Sequence, residues 1–359
     1  MISKIPSAGF QDNVKFRNII INGDMSIAQR GTSASGLTGS GYNTIDRFSL
    51  VNTGLATWTQ SQSTDVPSGQ GFAKSLKMDC TTADASPASG DLLQLRTAFE
   101  GQNLQYLNFG TSSAKSLTLS FWVKSNKTGT YTMVFFHRDV AKQFSKSYTI
   151  SSANTWEKKT ITVVGNTANG IDNDNGKSFD VWFNLGAGSN FTSGSLSSSW
   201  EADADANYAV GQVNLADSTS NEWYITGVQL EAGTTASDFE FLPHDVNLQR
   251  CQRYYFVKAN GSPQDLGIAT YYTSSDLRGS FGFPTTMRAI PTLEVESVSS
   301  GYDFRRDGGV DRMNEFALNN ASLTSVSIIA TSLVSGTAGQ SGHLFTDDAS
   351  CFVAVSSEL

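Results

Sequence analysis

The segment Lys115–Ser125 (KSLTLSFWVKS) limits what this chain can become more than any other stretch. Leu117, Leu119, Phe121 and Val123 alternate with Thr118, Ser120, Trp122 and Lys124, and a period of two puts each set on its own side of an extended strand. One side suits a core and the other a mostly wet surface. GTYTMVFF from Gly129 and KKTITVVG from Lys158 repeat the pattern, and connectors rich in Gly, Asn and Ser, such as SNKTG and NTANGIDNDNGK, separate the runs. Further strand-like runs fall at Ile45–Val51, Ala56–Gln62, Ala73–Met78, Leu92–Phe99, Ser147–Ile150, Phe179–Leu185 and Trp223–Leu230. About ten strands with turn signals at short intervals predict an all-β fold, a sandwich or jelly roll.

Composition narrows the partners. A net charge of −8, with no Lys/Arg stripe interleaved with aromatics, repels phosphate backbones and argues against nucleic acid. The opening MISKIPSAGFQDNVKF has no continuous apolar run, and no eighteen consecutive apolar residues occur later. The expectation is synthesis in a cytoplasm, with neither a signal peptide nor membrane insertion. Cys80, Cys251 and Cys351 are too far apart in sequence to suggest a disulfide framework or a metal knuckle, and read as buried thiols.

Four regions follow from the texture of the chain. Residues 1–16 lack any period and read as an N-terminal docking arm. Residues 17–242 form the sandwich, opening with NIIINGDMSIAQRG, expected as short strands around an Asn22-Gly23 turn, and closing with Asn221–Gly233 (NEWYITGVQLEAG). Within it Ser189–Asp205 is too polar for a core strand and reads as a surface loop carrying Trp200. After Pro243, HDVNLQRCQRYYF spaces Leu248, Cys251 or Gln252, and Tyr255 as in a short helix, giving a helical connector over 243–257. Residues 258–359 return to β texture, with turns at Ala259–Ser262, Asp307–Gly309 and Ser335-Gly336. The expected architecture is thus a jelly-roll β-sandwich, a short helix and a smaller distal β domain.

Catalytic signals are sparse. His137, His244 and His343 stand apart in sequence with no HExxH, HxH or neighbouring Cys pattern, and no GxSxG, GxGxxG or P-loop sits in a strand–turn–helix setting. Glu100, Glu157, Glu201, Asp203, Asp205 and Glu231 could in principle converge as a glycosidase pair, but surface acids are the simpler reading. Asp172-Asn173-Asp174-Asn175-Gly176 offers alternate carboxylates to calcium. With Gly176 at the sixth position, however, the first ligand would be Ile171 and the twelfth Trp182, so a hairpin turn fits better and no cofactor is expected. Trp side chains stack on sugar rings, which makes Trp200, Trp122 and Trp182 the candidate glycan contacts, set against the simpler role of filling the core.

In order along the chain, Asn18–Arg30, Asp46-Arg47-Phe48, Glu100–Asn103, SLTLSFWVKSNKTGTY, Trp156, TGVQLEAGTTASDFEF, LQRCQRYY and FPTTMRAIPTL together resemble a family of tailed-bacteriophage tail-fibre and related virion proteins with a carbohydrate-binding-module-like jelly roll. Phe48 stands where a Trp is common, a departure that bears on packing. The resemblance implies a virion structural protein without catalysis, often a homotrimer, located in the virion, and lends no catalytic residue. Three functions follow as expectations: host attachment through a surface glycan; a purely architectural capsid-decorating fibre or tail adaptor, docked to other virion proteins through residues 1–16; or a polysaccharide depolymerase, which lacks its usual repetitive β-helix.

Overall fold

The alternation in Leu117–Ser125 becomes a strand whose apolar side, Leu117, Leu119, Phe121 and Val123, is fully buried. The computed structural model describes residues 16–359, so the arm expected over 1–16 lies, Phe16 aside, outside the described residues. The chain divides after Leu242 into two units.

The first unit holds β1 (Ser33–Leu37), β2 (Gly41–Tyr42), β3 (Ser49–Thr53), β4 (Thr57–Ser63), β5 (Ser75–Thr82), β6 (Leu92–Glu100), β7 (Leu117–Ser125), β8 (Gly129–His137), β9 (Lys142–Ile150), β10 (Glu157–Val163), β11 (Lys177–Ala187), β12 (Glu201–Ala202) and β13 (Glu222–Ala232). They form two antiparallel sheets, ordered β1-β4-β5-β13-β7-β10 and β12-β9-β8-β11-β6-β3-β2. The inward residues of both sheets meet in one core that includes Trp58, Met78, Leu95, Phe121, Met133, Phe183, Trp223 and Ile225. This is a jelly-roll β-sandwich.

β13, the last strand of this unit in sequence, is not at an edge. It lies in the middle of the first sheet, hydrogen-bonded to β5 on one side and β7 on the other. Its register breaks between Thr226 and Gln229, where Gly227 takes a φ of +61° and a Cβ would stand 2.5 Å from the Phe72 ring, so only glycine fits.

The opening segment differs from expectation: Asn18–Arg30 forms no strand. Asn22 and Met25 both adopt positive φ, which ends any ladder, and the segment's hydrogen bonds run to side chains and to the β13 bulge instead. Asn18 Oδ1 accepts from the backbone N–H groups of Ile20 and Leu230, and its Nδ2 donates to Val228 O at 3.0 Å. Ile19 N donates to Leu230 O, and Val228 N to Gly23 O, both at 2.9 Å. A Cβ on Gly23 would lie 2.0 Å from Val228 O. Glu231 fixes the chain beyond β13, accepting from Ser237 N and Oγ and from Gln229 Nε2.

In the second unit the helix His244–Gln252 follows Pro243. Its buried stripe is Asn247 and Cys251, continued by Tyr254, while Leu248 is only partly buried, one position from the expected face. Strands Tyr255–Asn260, Thr292–Val295 and Phe352–Ser356 make a three-stranded sheet, and seven others make a larger antiparallel one. Their apolar sides share a separate core that includes Leu266, Tyr271, Phe281, Tyr302, Phe304, Val326 and Val353.

Asn18 is 4% exposed. Asn18→Ala leaves the buried N–H of Leu230 and carbonyl of Val228 without these partners, and is expected to lower unfolding free energy by about 2–4 kcal/mol in urea titrations. An unchanged midpoint would mean that this clasp contributes nothing to stability.

Candidate functional site

The three candidate tryptophans lie in three different settings. Trp182 points outward from β11, away from the core, yet is 2% exposed. The segment Gly188–Asn214, of which Ser189–Asp205 reads as surface loop in the sequence, lies over Trp182 on the outer face of the second sheet. Its hold is polar: Ser145 and Ser197 exchange hydrogen bonds, Gln143 Nε2 donates to Glu201 Oε1 and Ala204 O, Asn184 Nδ2 donates to Tyr208 O, and Thr132 N donates to Gln212 Oε1. Beneath it Trp182 stacks on Phe136 at 4.6 Å and meets the edge of Tyr208 at 5.1 Å. The Arg96 guanidinium lies 4.0 Å from the Trp182 ring centroid, and the indole N–H donates to Asp180. Every side of the ring is engaged by protein, so it offers no face to a sugar.

Trp200 closes one end of the main core. Its ring packs edge-on against Phe109, Phe144 and Phe179 with centroids 5.7–6.0 Å apart, and its N–H donates to Val164 O at 2.7 Å. Alongside is His137, fully buried, whose Nδ1 takes the amide of Asn166 at 3.3 Å while Nε2 stays 3.7 Å from Asp139. Burial depresses the His137 pKa below the ordinary imidazole value, with Asp139 opposing the shift.

Trp122 keeps a partly exposed ring on the outer face of the first sheet, opposite Thr226 on β13 and Lys158 on β10. Just before β10, two residues from Lys158, is Trp156, also partly exposed, which the sequence reading does not name as a glycan candidate. Trp156 donates to Asp65 Oδ1 at 2.9 Å and meets Tyr224 edge-on at 6.2 Å. Lys124 ties the group together: its ammonium pairs with Asp65 and lies 4.3 Å from the Tyr224 centroid and 5.7 Å from that of Trp156. Although burial alone would raise the Asp65 pKa, the bonds from Lys124 and Trp156 hold it below the usual carboxylate value. Exposed Lys158 and Thr160 complete a shelf of two indoles rimmed by donors and acceptors. Such a surface can take the C–H face of a sugar ring and bond its hydroxyls.

The acids considered as a catalytic pair are held by structural bonds. Glu201 accepts from Gln143, Ser197 and Asn207, which together outweigh burial and keep its pKa low, the reverse of what a general acid needs. Asp203 accepts the Tyr208 hydroxyl, and Glu157 the N–H groups of Ser151 and Ser152. Asp172 and Asp174 are exposed in a turn, where Asp174 Oδ1 caps Gly176 N at 2.8 Å. Among the described residues no group of three or more His, Cys, Asp or Glu could hold a metal ion. Cys80, Cys251 and Cys351 are buried and form no disulfide, and burial pushes Cys80 up to about 11.

No protein-family model matches the sequence, and no curated protein matches it. Several solved structures are similar to the chain at low identity and low TM-score. The enzymatically active domain of tailspike protein 4 from bacteriophage CBA120 is 14% identical with a TM-score of 0.32, covering 60% of this chain and 21% of that one, so the match spans about a fifth of the tailspike chain. A family 11 carbohydrate-binding module from Clostridium thermocellum, in complex with a mixed-linked tetrasaccharide, is 10% identical with a TM-score of 0.29 over 57% of this chain and 98% of that one. TmCBM61 in complex with β-1,4-galactotriose is 9% identical with a TM-score of 0.30 over 60% and 99%.

The buried His137 gives a pH dependence. Its folded pKa is depressed, so the unfolded chain binds the proton more tightly; stability is full above about pH 6.5 and falls as pH drops below it. Urea midpoints measured between about pH 7 and pH 5 are expected to decline, and to decline less steeply in His137→Asn. Trp200→Ala, which opens the core end, is expected to cost about 2–4 kcal/mol at neutral pH.

Proposed function

We propose that this chain is a non-catalytic virion appendage protein whose sandwich contacts a host-surface glycan through the Trp122–Trp156 shelf. The observation that carries the reading is that these two indoles keep exposed surface beside Asp65, Lys124, Lys158 and Thr160, while Trp182 is buried and Trp200, also partly exposed, is packed edge-on against Phe109, Phe144 and Phe179. The virion setting is supported by the sequence resemblance of Asn18–Arg30, TGVQLEAG and CQRYY to tailed-phage proteins. Self-association as a homotrimer would multiply a weak sugar contact, since tethered sites meet a second ligand at high effective concentration. Residues 1–16 would join other virion proteins.

A purely architectural role is the second reading. It is favoured by Ile268 and Tyr272, four positions apart on one strand of the seven-stranded sheet and 63% and 65% exposed, a surface that assembly could cover. Deleting residues 1–16 separates the two: loss of the protein from particles supports architecture, whereas continued blocking of adsorption by the free chain supports receptor contact.

Trp122→Ala and Trp156→Ala are each expected to weaken glycan retention about tenfold, with the thermal midpoint lowered only slightly. A glycan array and a host-adsorption assay on the full chain measure this. Absence of binding in both assays for the unmodified chain would sink the glycan reading.

A further inference from the structure

On the other side of the sandwich from that shelf, the outer face of the second sheet gathers three cations around one acid. Arg138 Nε donates to Asp180 Oδ2 at 2.5 Å, and Lys177 Nζ lies 3.4 Å from Asp180 Oδ1. Arg96, directly opposite Trp182 on β6, gives Nε to Gln94 Oε1 at 2.7 Å. Asp180 is fully buried, whereas the Arg138 and Lys177 side chains are each 31% exposed. Among the described residues Asp180 is the one carboxylate within ion-pair range of these cations. Three positive charges against one negative leave two in excess, in a chain whose net charge is −8.

The guanidiniums are also held in place. Arg138 lies 4.5 Å from the Phe136 centroid and 5.2 Å from that of Trp182, and Arg96 lies 4.0 Å from the latter. Stacked on buried rings, these planes lose little freedom when a ligand binds. Their donors are largely unspent: among the described residues neither terminal nitrogen of Arg138 makes a hydrogen bond, and neither does Nη1 of Arg96. The cluster holds itself under electrostatic tension. Burial lowers the Lys177 pKa, Asp180 opposes this, and Arg138 and Arg96 lower it further, while burial and then Arg138 bring Arg96 down to about 10. An added anion would relieve that repulsion.

We propose that Arg96, Arg138 and Lys177 form an oxyanion site for the acidic substituent of a glycan, either a sugar carboxylate or a sugar phosphate. Either group would accept paired N–H donors from Arg138 and one from Lys177, with Arg96 adding charge from beneath. The site stands on the face opposite the Trp122 shelf and does not depend on that shelf binding a sugar.

Calorimetric titration of the full chain at low salt tests it, with oligogalacturonate, inorganic phosphate and a neutral glucan oligomer as separate probes. Binding of oligogalacturonate, falling with added salt and about tenfold weaker in Lys177→Gln, identifies a carboxylate ligand. Phosphate binding with the same sensitivity, without oligogalacturonate binding, identifies phosphate as the source. Arg138→Gln should weaken either ligand further; because it also leaves Asp180 less well paired, Lys177→Gln, which keeps the Arg138–Asp180 pair, is the deciding variant. The proposal is overturned if neither anion binds, if Lys177→Gln binds as the unmodified chain does, or if the neutral glucan binds equally well.

Discussion

The sandwich depends on how its first and last segments are joined. β13 lies in the middle of the first sheet, and where its backbone bulges at Gly227 and Val228 the displaced N–H and C=O groups need new partners in a buried place. Asn18, Ile19 and Gly23 supply them. The amide side chain of Asn18 answers a donor and an acceptor of the same strand at once, which an aliphatic residue cannot do. Residues more than two hundred apart in sequence therefore close together, and sheet order, core and both outer faces follow from that closure.

With the core fixed, the two outer faces diverge. Each is made of the residues that alternate with the core set, and each carries a tryptophan, but different connections follow. The long link from β11 to β13 folds back on its own sheet and satisfies Gln143, Asn184 and Thr132 with protein groups, burying a polar surface almost without aliphatic contact. Burying so many polar groups is tolerable only because nearly all are paired. Among the described residues the β7 to β10 side of the first sheet has no such cover, and its indoles stay partly exposed.

Much of this was legible in the sequence, and for definite reasons. Strand-like runs, three of them with clear period-two alternation, mark the long strands of the first unit, although β6, β8 and β11 prove buried on both sides and Gln264–Thr273 in the second unit goes unmarked. The segment Asn18–Arg30 was misread as strands because an Asn-Gly pair between apolar residues looks like a hairpin; only the partner strand, far along the chain, reveals that its hydrogen bonds go elsewhere. The helix after Pro243 was found with its face turned by one residue, because buried Asn247 outweighs partly buried Leu248. The candidate site was less legible. Alternation correctly placed Trp122 and Trp182 away from the core, but it cannot say what lies over a sheet, and it assigned the two the same prospects.

That limit has a physical origin which also explains Trp200. A Ser-rich segment with one aromatic reads as a loop that displays its tryptophan, since nothing nearby in sequence could bury it. Here the polar residues are the means of burial: Ser197 and Glu201 bond to β9, and these bonds set Trp200 against Phe109, Phe144 and Phe179. A low-apolar segment lies down firmly when the surface beneath offers complementary hydrogen bonds, and hydropathy carries no record of complementarity. Trp200 stays partly exposed, yet its edges are held by core rings, whereas Trp122 and Trp156 keep their exposed surface beside the polar groups of Asp65, Lys124 and Lys158.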